Sequence, residues 1–400
     1  MTVKELIARS KAAQAEFAFA TQEQADAAAK AICKVVYDNA EKLGPMAAEE
    51  SRMGSEQDKI AKCRNKSALI WESLKGKKSC DIINRIEERR MIEVAKPVGV
   101  VASIIPSTNP VVTPMSNGAF ALKCRNSVIF APHPRAVKCT KLLVEMFRAE
   151  LKKLGLPEDL VLGLEEVSND LTSELMSAAD MVVATGGMGM VKAAYSSGKP
   201  AIGVGQGNVQ CIIDEDADIA DAVGKIIIGR AFDNGLICLG EQTVFVPEDK
   251  EAEFVAEMKK QGGYLVEGEE NVDKLREGLF PGGGAFSRVV VGMFADQVSD
   301  EIGLGAPKGT RVLFAKAKAL GAGDVLCREK LCPVIAYMTY KTFKEGVAMM
   351  EANLDHEGKG HSIAVHSNTP ENVEYAAIRC CVSRVVVNQP SGTTGGGSPT

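Results

Sequence analysis

The chain is poor in aromatic residues, which make up 5% of its 400 positions and include one tryptophan, Trp71. Histidine is scarcer still, with four in all. No Cys-x-x-Cys pair occurs and no Cys and His stand at ligand spacing, so no metal is expected. No apolar run approaches the roughly 18 residues that a membrane span needs. The amino terminus lacks the basic, then apolar, then small-residue order of a secretory signal. An excess of positive charge is missing too. The net charge is -5, which leaves no basic footprint for nucleic acid. The 11 cysteines form an odd, dispersed set without a signal, which fits a reducing cytoplasm better than a disulfide framework. Most of them are expected to be small core residues.

What is present is an ordinary globular composition, 46% apolar and 25% charged, long enough for two domains. Residues 3–43 read as helix with a break near Thr21, and a second helical stretch covers about 45–75. Neither stretch offers convergent reactive groups. The texture changes at Val94. Apolar strand runs follow at 98–105, 127–131, 160–162, 181–185 and 201–204, separated by helical patterns. Such alternation predicts an α/β fold, a parallel sheet covered on both faces. Ligands on these sheets bind beyond the strand carboxyl ends. Residues 214–230 read as a helix. A second α/β region has strand patterns near 243–247, 286–292, 333–338 and 361–366, and a last one at 385–388. The division predicted is a dinucleotide-binding domain over 1–229, a catalytic domain over 230–380, and a return strand with a Gly-rich tail over 381–400.

Three groups of residues can carry chemistry. Thr185-Gly186-Gly187-Met188-Gly189 follows a strand and opens a helix, where glycine lets a phosphate approach the backbone and the helix terminus favours an anion. Gly203-Val204-Gly205-Gln206-Gly207 ends the next strand as a second close-approach loop. Each alone is equally a tight turn; the pair points to a nucleotide. The loop at the end of the second strand, Ala131-Pro132-His133-Pro134-Arg135, has no acid for a ribose 2′-hydroxyl. Arg135 would tolerate a 2′-phosphate or simply open a surface helix, so NAD and NADP both stand. Cys238 follows the turn Phe232-Asp233-Asn234-Gly235-Leu236-Ile237 and reads as a nucleophile among ten other cysteines. No His or Lys lies within six residues to activate it. His361, after Gly358-Lys359-Gly360, is either a general base or a core histidine.

Those motifs together, with Val36-Tyr37-Asp38-Asn39-Ala40-Glu41 and Val387-Asn388-Gln389-Pro390, resemble the CoA-acylating aldehyde dehydrogenases nearly end to end. That group includes acylating succinate-semialdehyde and sulfoacetaldehyde dehydrogenases and the aldehyde half of bifunctional alcohol/aldehyde dehydrogenases. The resemblance implies the aldehyde dehydrogenase fold, a Rossmann-like domain plus an α/β domain that brings the cysteine to the interdomain cleft. It makes Cys238 the nucleophile and puts His361 near the thioester. It assigns the dinucleotide to Thr108, Asn109, Pro110, Thr113, His133, Arg135, Gly187 and Gly205, with Glu329 on the nicotinamide ribose. The family's oxyanion asparagine aligns with Thr108, which leaves Thr108 and Asn109 as alternative donors, with the Cys238 backbone N–H as a further one. Hydrolytic relatives carry a glutamate base, and Val204 aligns with it. Without that base water is poorly activated, and CoA becomes the acyl acceptor.

Two departures from the family pattern bear on the expectation. Leu239-Gly240 follows the cysteine where succinate-semialdehyde relatives show small hydroxyl residues. The family's Gly-Cys-Gly-Ser-Trp-Gly segment is not reached before Thr400, which reads as a shortened chain. The activity implied is aldehyde plus CoA plus NAD(P)+ to acyl-CoA and NAD(P)H, in a cytoplasmic homodimer or larger homo-oligomer. Acetaldehyde, succinate semialdehyde and sulfoacetaldehyde are the candidate substrates. Arg230 is a candidate for holding a distal anion, against a salt bridge on its own helix. A hydrolytic aldehyde dehydrogenase and an inactive structural or filament relative are the alternatives.

Overall fold

The computed structural model describes residues 1–392; residues 393–400, with most of the Gly-rich tail, lie outside the described residues. The chain divides into two compact units. Among the described residues, the first holds Met1–Arg52 and Glu56–Gly205, the second Met53–Ser55 and residues 206–392.

The first unit opens with four helices, α1 (Val3–Phe17), α2 (Gln22–Asp38), α3 (Ala40–Ser51) and α4 (Glu56–Leu74). Thr2 and Thr21 each close a capping box, with Glu5 and Gln24 respectively, which explains the break predicted near Thr21. A hairpin, β1 (Asp81–Ile86) and β2 (Met91–Ala95), comes next. Then strands and helices alternate: β3 (Val100–Ile105), α5 (Val112–Lys123), β4 (Ser127–Pro132), α6 (Val137–Lys153), β5 (Val161–Gly163), α7 (Asn169–Ala178), β6 (Met181–Thr185), α8 (Met188–Tyr195) and β7 (Ala201–Val204). The five strands β3–β7 pair in parallel in the order β5-β4-β3-β6-β7. The order reverses at β3, as in a dinucleotide-binding half-sheet. Side chains alternate between two cores. Val101 and Ile105 of β3 join Val128 and Phe130 beneath α2, α5 and α6. Val100, Ala102 and Ile104 join Ile129 and Leu162 beneath α1 and α7. Burial on both faces is why β3 and β4 read as continuous apolar runs.

The second unit contains β8 (Val209–Ile213), α9 (Ile219–Ala231), β9 (Glu241–Pro247), α10 (Glu251–Lys260), β10 (Gly263–Leu265), α11 (Glu269–Leu279), α12 (Ala295–Ile302), β11 (Val312–Lys316), β12 (Val334–Tyr340), α13 (Phe343–His356), β13 (Ser362–His366), α14 (Pro370–Arg379) and β14 (Arg384–Val387). Its seven strands are all parallel, in the order β10-β11-β12-β9-β8-β13-β14. Cores again fill both faces, with Phe254, Phe314 and Tyr337 on one and Phe245, Met350 and Ile363 on the other. The strand expected at 286–292 is absent: that segment is turns, with Gly292 at φ 68°. Its Val289-Val290-Val291 run is not a ladder because one residue, Val290, plugs the core while Val289 is exposed.

Candidate active site

In the first unit the predicted dinucleotide residues gather beyond the carboxyl edge of the sheet. Thr108, Asn109, Pro110 and Thr113 follow β3, His133 and Arg135 follow β4, Gly187 follows β6 and Gly205 follows β7. This is the side on which open parallel sheets bind ligands, at the point where strand order reverses. Gly187 is the N-cap of α8, and a Cβ there would meet nothing within 4 Å. The backbone is thus open to a phosphate group at a helix N-terminus, and these residues fit a dinucleotide. His133 and Arg135 are exposed. The His133 ring caps its own turn, with Nδ1 accepting from the Arg135 N–H at 3.1 Å. Asn109 is tied to α4, because Lys62 Nζ donates to its Oδ1 at 2.9 Å. Val204, aligned with the hydrolytic base, ends β7 with an apolar side chain.

The second unit uses the opposite edge of its sheet. Cys238 precedes β9, Gly207 precedes β8, His361 precedes β13 and Arg384 begins β14. Glu329 and Lys330 lie in the segment leading to β12. The order β12-β9-β8-β13-β14 therefore sets five adjacent amino ends side by side.

The Cys238 loop is shaped by its backbone. After α9, Asp233, Asn234 and Gly235 all adopt positive φ, at 50°, 53° and 71°. Asp and Asn tolerate this region better than other side chains, and Gly adopts it freely. Each of the first two is also fastened: Asp233 Oδ1 accepts from the Ser55 N–H at 3.2 Å, and Asn234 Nδ2 donates to the Gly292 carbonyl at 2.9 Å. A Cβ on Gly235 would lie 2.6 Å from the Cys332 backbone, so the loop is pressed against the segment before β12. Leu236 and Ile237 are buried, and Cys238 emerges half-buried. Gly207 passes against it; a Cβ there would stand 2.1 Å from the Cys238 carbonyl oxygen and 2.7 Å from its Cβ. Sequence marked this glycine as a close-approach position, and what it approaches is the cysteine. Eight other cysteines are buried; only Cys124 and Cys381 are exposed. Burial pushes the thiols of Cys33 and Cys332 up to about 12, so these do not compete as thiolates.

Charged groups lie behind this loop. Arg384 supplies the cation that local sequence lacks: burial lowers its own pKa, and the charges of Glu241 and Cys238 oppose that fall. Arg384 donates to the Ser391 carbonyl at 3.1 Å, and the Ser391 N–H donates to Glu241 Oε1 at 2.7 Å. Burial pushes Glu241 up to about 7, against the pull of that N–H and of Arg230 and Arg384. Glu329 is likewise raised to about 7 by burial, although it accepts from the Gly207 N–H at 2.8 Å. Lys330 is lowered to about 7 by burial and by Arg230, and donates to the Leu326 and Arg328 carbonyls at 2.6 and 2.9 Å. Arg230 is fully buried and donates to the Lys330 and Cys332 carbonyls. It forms no salt bridge on its own helix; its Nη2 braces the segment behind the cysteine, while Nε and Nη1 are buried without a partner among the described residues.

His361 is held by its backbone, whose carbonyl accepts from Ser383 Oγ at 2.8 Å. Its Nδ1 is buried without a partner. Burial, then the Arg384 charge, lowers its pKa to about 4. The ring is therefore neutral at pH 7 and a weaker base than an ordinary imidazole. Arg384, Glu241 and Lys62 were missed from sequence. The Cys238-Leu239-Gly240-Glu241 spacing was the only local signal, since the other two act from distant elements.

Comparisons with known proteins identify the family. A family model described as "Aldehyde dehydrogenase family" matches residues 1–274. An acetylating succinate-semialdehyde dehydrogenase of Clostridium kluyveri is 47% identical over 396 residues, spanning 99% of this chain and 87% of that protein. The crystal structure of an acetylating aldehyde dehydrogenase from Geobacillus thermoglucosidasius superposes with a TM-score of 0.94 at 35% identity, covering 100% of this chain and 88% of the other. A propionaldehyde dehydrogenase of Rhodopseudomonas palustris, solved with bound CoA and an acylated cysteine, gives 0.88 at 26% identity, covering 99% and 90%. Parallel sheets with these edges, a matching family model and relatives aligned over nearly the whole chain lead to one conclusion: the chain belongs to the aldehyde dehydrogenase family.

Proposed function

We propose that the chain is a CoA-acylating aldehyde dehydrogenase, with Cys238 as its nucleophile. One observation carries the reading: Cys238 is presented half-buried by a fastened positive-φ loop, whereas the position aligned with the hydrolytic base is Val204. The Cys238 sulfur adds to the aldehyde carbonyl and the oxygen takes negative charge. A bound NAD(P)+ supplies the hydride acceptor. Loss of hydride from the tetrahedral carbon leaves a thioester on Cys238. With no carboxylate base at Val204, the thioester is spared from water and open to the sulfur of CoA. CoA attacks as its thiolate, the proton passing to solvent, because burial and the Arg384 charge leave His361 a weak base; Cys238 then leaves as thiolate beside the Arg384 charge.

Succinate semialdehyde and sulfoacetaldehyde are the anionic substrates this reading favours, and acetaldehyde the neutral one. A cytoplasmic homo-oligomer is part of the proposal. No helix among the described residues is long and apolar enough to cross a membrane. Ile82, Met91, Ile92 and Val94 of the β1–β2 hairpin are exposed, and two strands alone are a marginal structure in water.

Turnover with each of the three aldehydes, with NAD+ and NADP+, is to be measured with and without CoA. CoA-dependent formation of acyl-CoA is expected. Sustained production of free acid without CoA would refute the acylating reading.

A further inference from the structure

Within the second unit, one row of residues crosses the amino ends of four strands. Arg384 of β14 is level with Ser362 of β13, Ile363 with Gln210 of β8, and Val209 with Glu241 of β9. Arg384 and Glu241 thus stand at the two ends of one row, and Cys238 lies three residues before Glu241. Ser391, fully buried, spans the gap between them. Arg384 Nη2 donates to its carbonyl at 3.1 Å and Nη1 to its Oγ at 3.4 Å, while its N–H donates to Glu241 Oε1 at 2.7 Å. A planar guanidinium held at two nitrogens has a set direction. Here it is drawn off β14 toward the cysteine end of the row. The other ionisable groups around the Cys238 loop are Asp233 and Glu241 on its own connection, Arg230 on α9, Glu329, Lys330 and Cys332 before β12, and His361 before β13. Lys330 is committed to the Leu326 and Arg328 carbonyls, and Arg230 Nη2 to those of Lys330 and Cys332. The charges that bear on Arg230 are those of Cys332, Glu329 and Glu241; those that bear on Arg384 are Glu241 and Cys238. His361 lacks the charge that a thiolate–imidazolium pair requires, since burial and then Arg384 lower it to about 4.

We propose that Arg384 supplies the counter-charge of the Cys238 thiolate, that Glu241 and Ser391 are the positioning residues that aim it, and that the nucleophile forms no ion pair with His361. This rests on the proposed function, in which Cys238 is the reacting sulfur. One cation then sets two protonation states: it favours the ionised sulfur and it keeps the imidazole ring uncharged. Glu241 acts on that cation in two ways. Its oxygen holds the Ser391 N–H and so the brace, and its negative charge offsets that of the guanidinium. The two effects are separable, because Glu241→Gln keeps an acceptor oxygen and loses the charge.

The test is the pH dependence of Cys238 alkylation by iodoacetamide in the full chain, followed by the mass of the peptide that carries Cys238. The thiolate is the reacting form, so the midpoint of the profile reports its ionisation. Arg384→Met is expected to move the midpoint up by about one pH unit. Arg384→Lys, which keeps a charge, is expected to recover most of that shift. Glu241→Gln is expected to move the midpoint down by about half a unit, in the opposite direction. His361→Gln is expected to leave it at the parental value. Loosening of the fold would move the Arg384 and Glu241 variants the same way, so the two signs separate charge from structure, and thermal melts of each variant check folding. Where Arg384→Met does not fold, the sign of the Glu241→Gln shift decides. An Arg384→Met profile that superimposes on the parent's would overturn the proposal, as would an upward shift in Glu241→Gln or a midpoint that follows His361→Gln instead. Alkylation needs neither aldehyde nor CoA, so failure of the functional reading shows separately, as a Cys238→Ala variant that keeps its CoA-dependent turnover.

Discussion

Cys238 is distinguished from ten other cysteines by its surroundings, not by its own neighbours in sequence. Three successive positive-φ residues raise it from a buried loop, and Gly207 closes the space behind it. That contact makes Gly207 a test at single-residue resolution. An alanine Cβ would stand 2.1 Å from the Cys238 carbonyl oxygen, a distance no packing tolerates, so either β8's entry or the cysteine loop must move. Gly207→Ala is expected to destabilise the fold by about 1–3 kcal/mol, as overpacking does, and to lower turnover more than tenfold. Urea unfolding and steady-state rates check this. An active, stable alanine variant would show that the approach is looser than described. The same shift would disturb Glu329, whose carboxyl accepts the Gly207 N–H.

At the scale of elements, the proposed site residues stand at the amino edge of the second sheet and at the carboxyl edge of the first. Glu241 at the start of β9 joins that amino edge to the chain after β14 through Ser391. With its pKa raised to about 7 from 4.5, the folded state holds the Glu241 proton more tightly than the unfolded state does. Its ionisation therefore costs stability as pH climbs from 4.5 through 7. Glu241→Gln keeps an acceptor for Ser391 and removes that cost. Its melting temperature relative to the parent is expected to rise between pH 5 and pH 8.5, and an offset independent of pH would refute the assignment. Sequence made the first sheet legible because its central strands β3 and β4 are buried on both faces and helical patterns separate its strands. The second was less so. β8, β10 and β11 were not anticipated; β10 is three residues long, and β8 was hidden between a glycine loop and a helix pattern. The Val289-Val290-Val291 run imitated a strand without pairing. Cys238, His361 and the glycine loops were readable as local motifs. Arg384 and Lys62 were not, because a lone Arg or a helical Lys reveals its target only after strands and helices have been brought together.

For the whole molecule, buried ionisable groups of both kinds set the acid limb of stability. His361 and His366 are each lowered to about 4 from 6.5, chiefly by burial. Between those values the unfolded chain binds more protons, so their contribution is full above pH 6.5 and is lost as pH falls toward 4. Glu241 and Glu329 act in the opposite sense over pH 7 to 4.5. His366→Asn removes one of the destabilising protonations. Its urea midpoint relative to the parent is expected to increase as pH falls from 6.5 to 4; a constant difference would exclude a neutral buried His366. The central claim, however, is covalent. It is tested most directly by mixing the protein with aldehyde and NAD(P)+ in the absence of CoA, then measuring the NAD(P)H formed and the mass of the peptide that carries Cys238. The account predicts a burst of about one NAD(P)H per site, an acyl adduct on Cys238, and release of that acyl group on adding CoA. Continuous turnover without CoA, or a burst that leaves Cys238 unmodified, would contradict it.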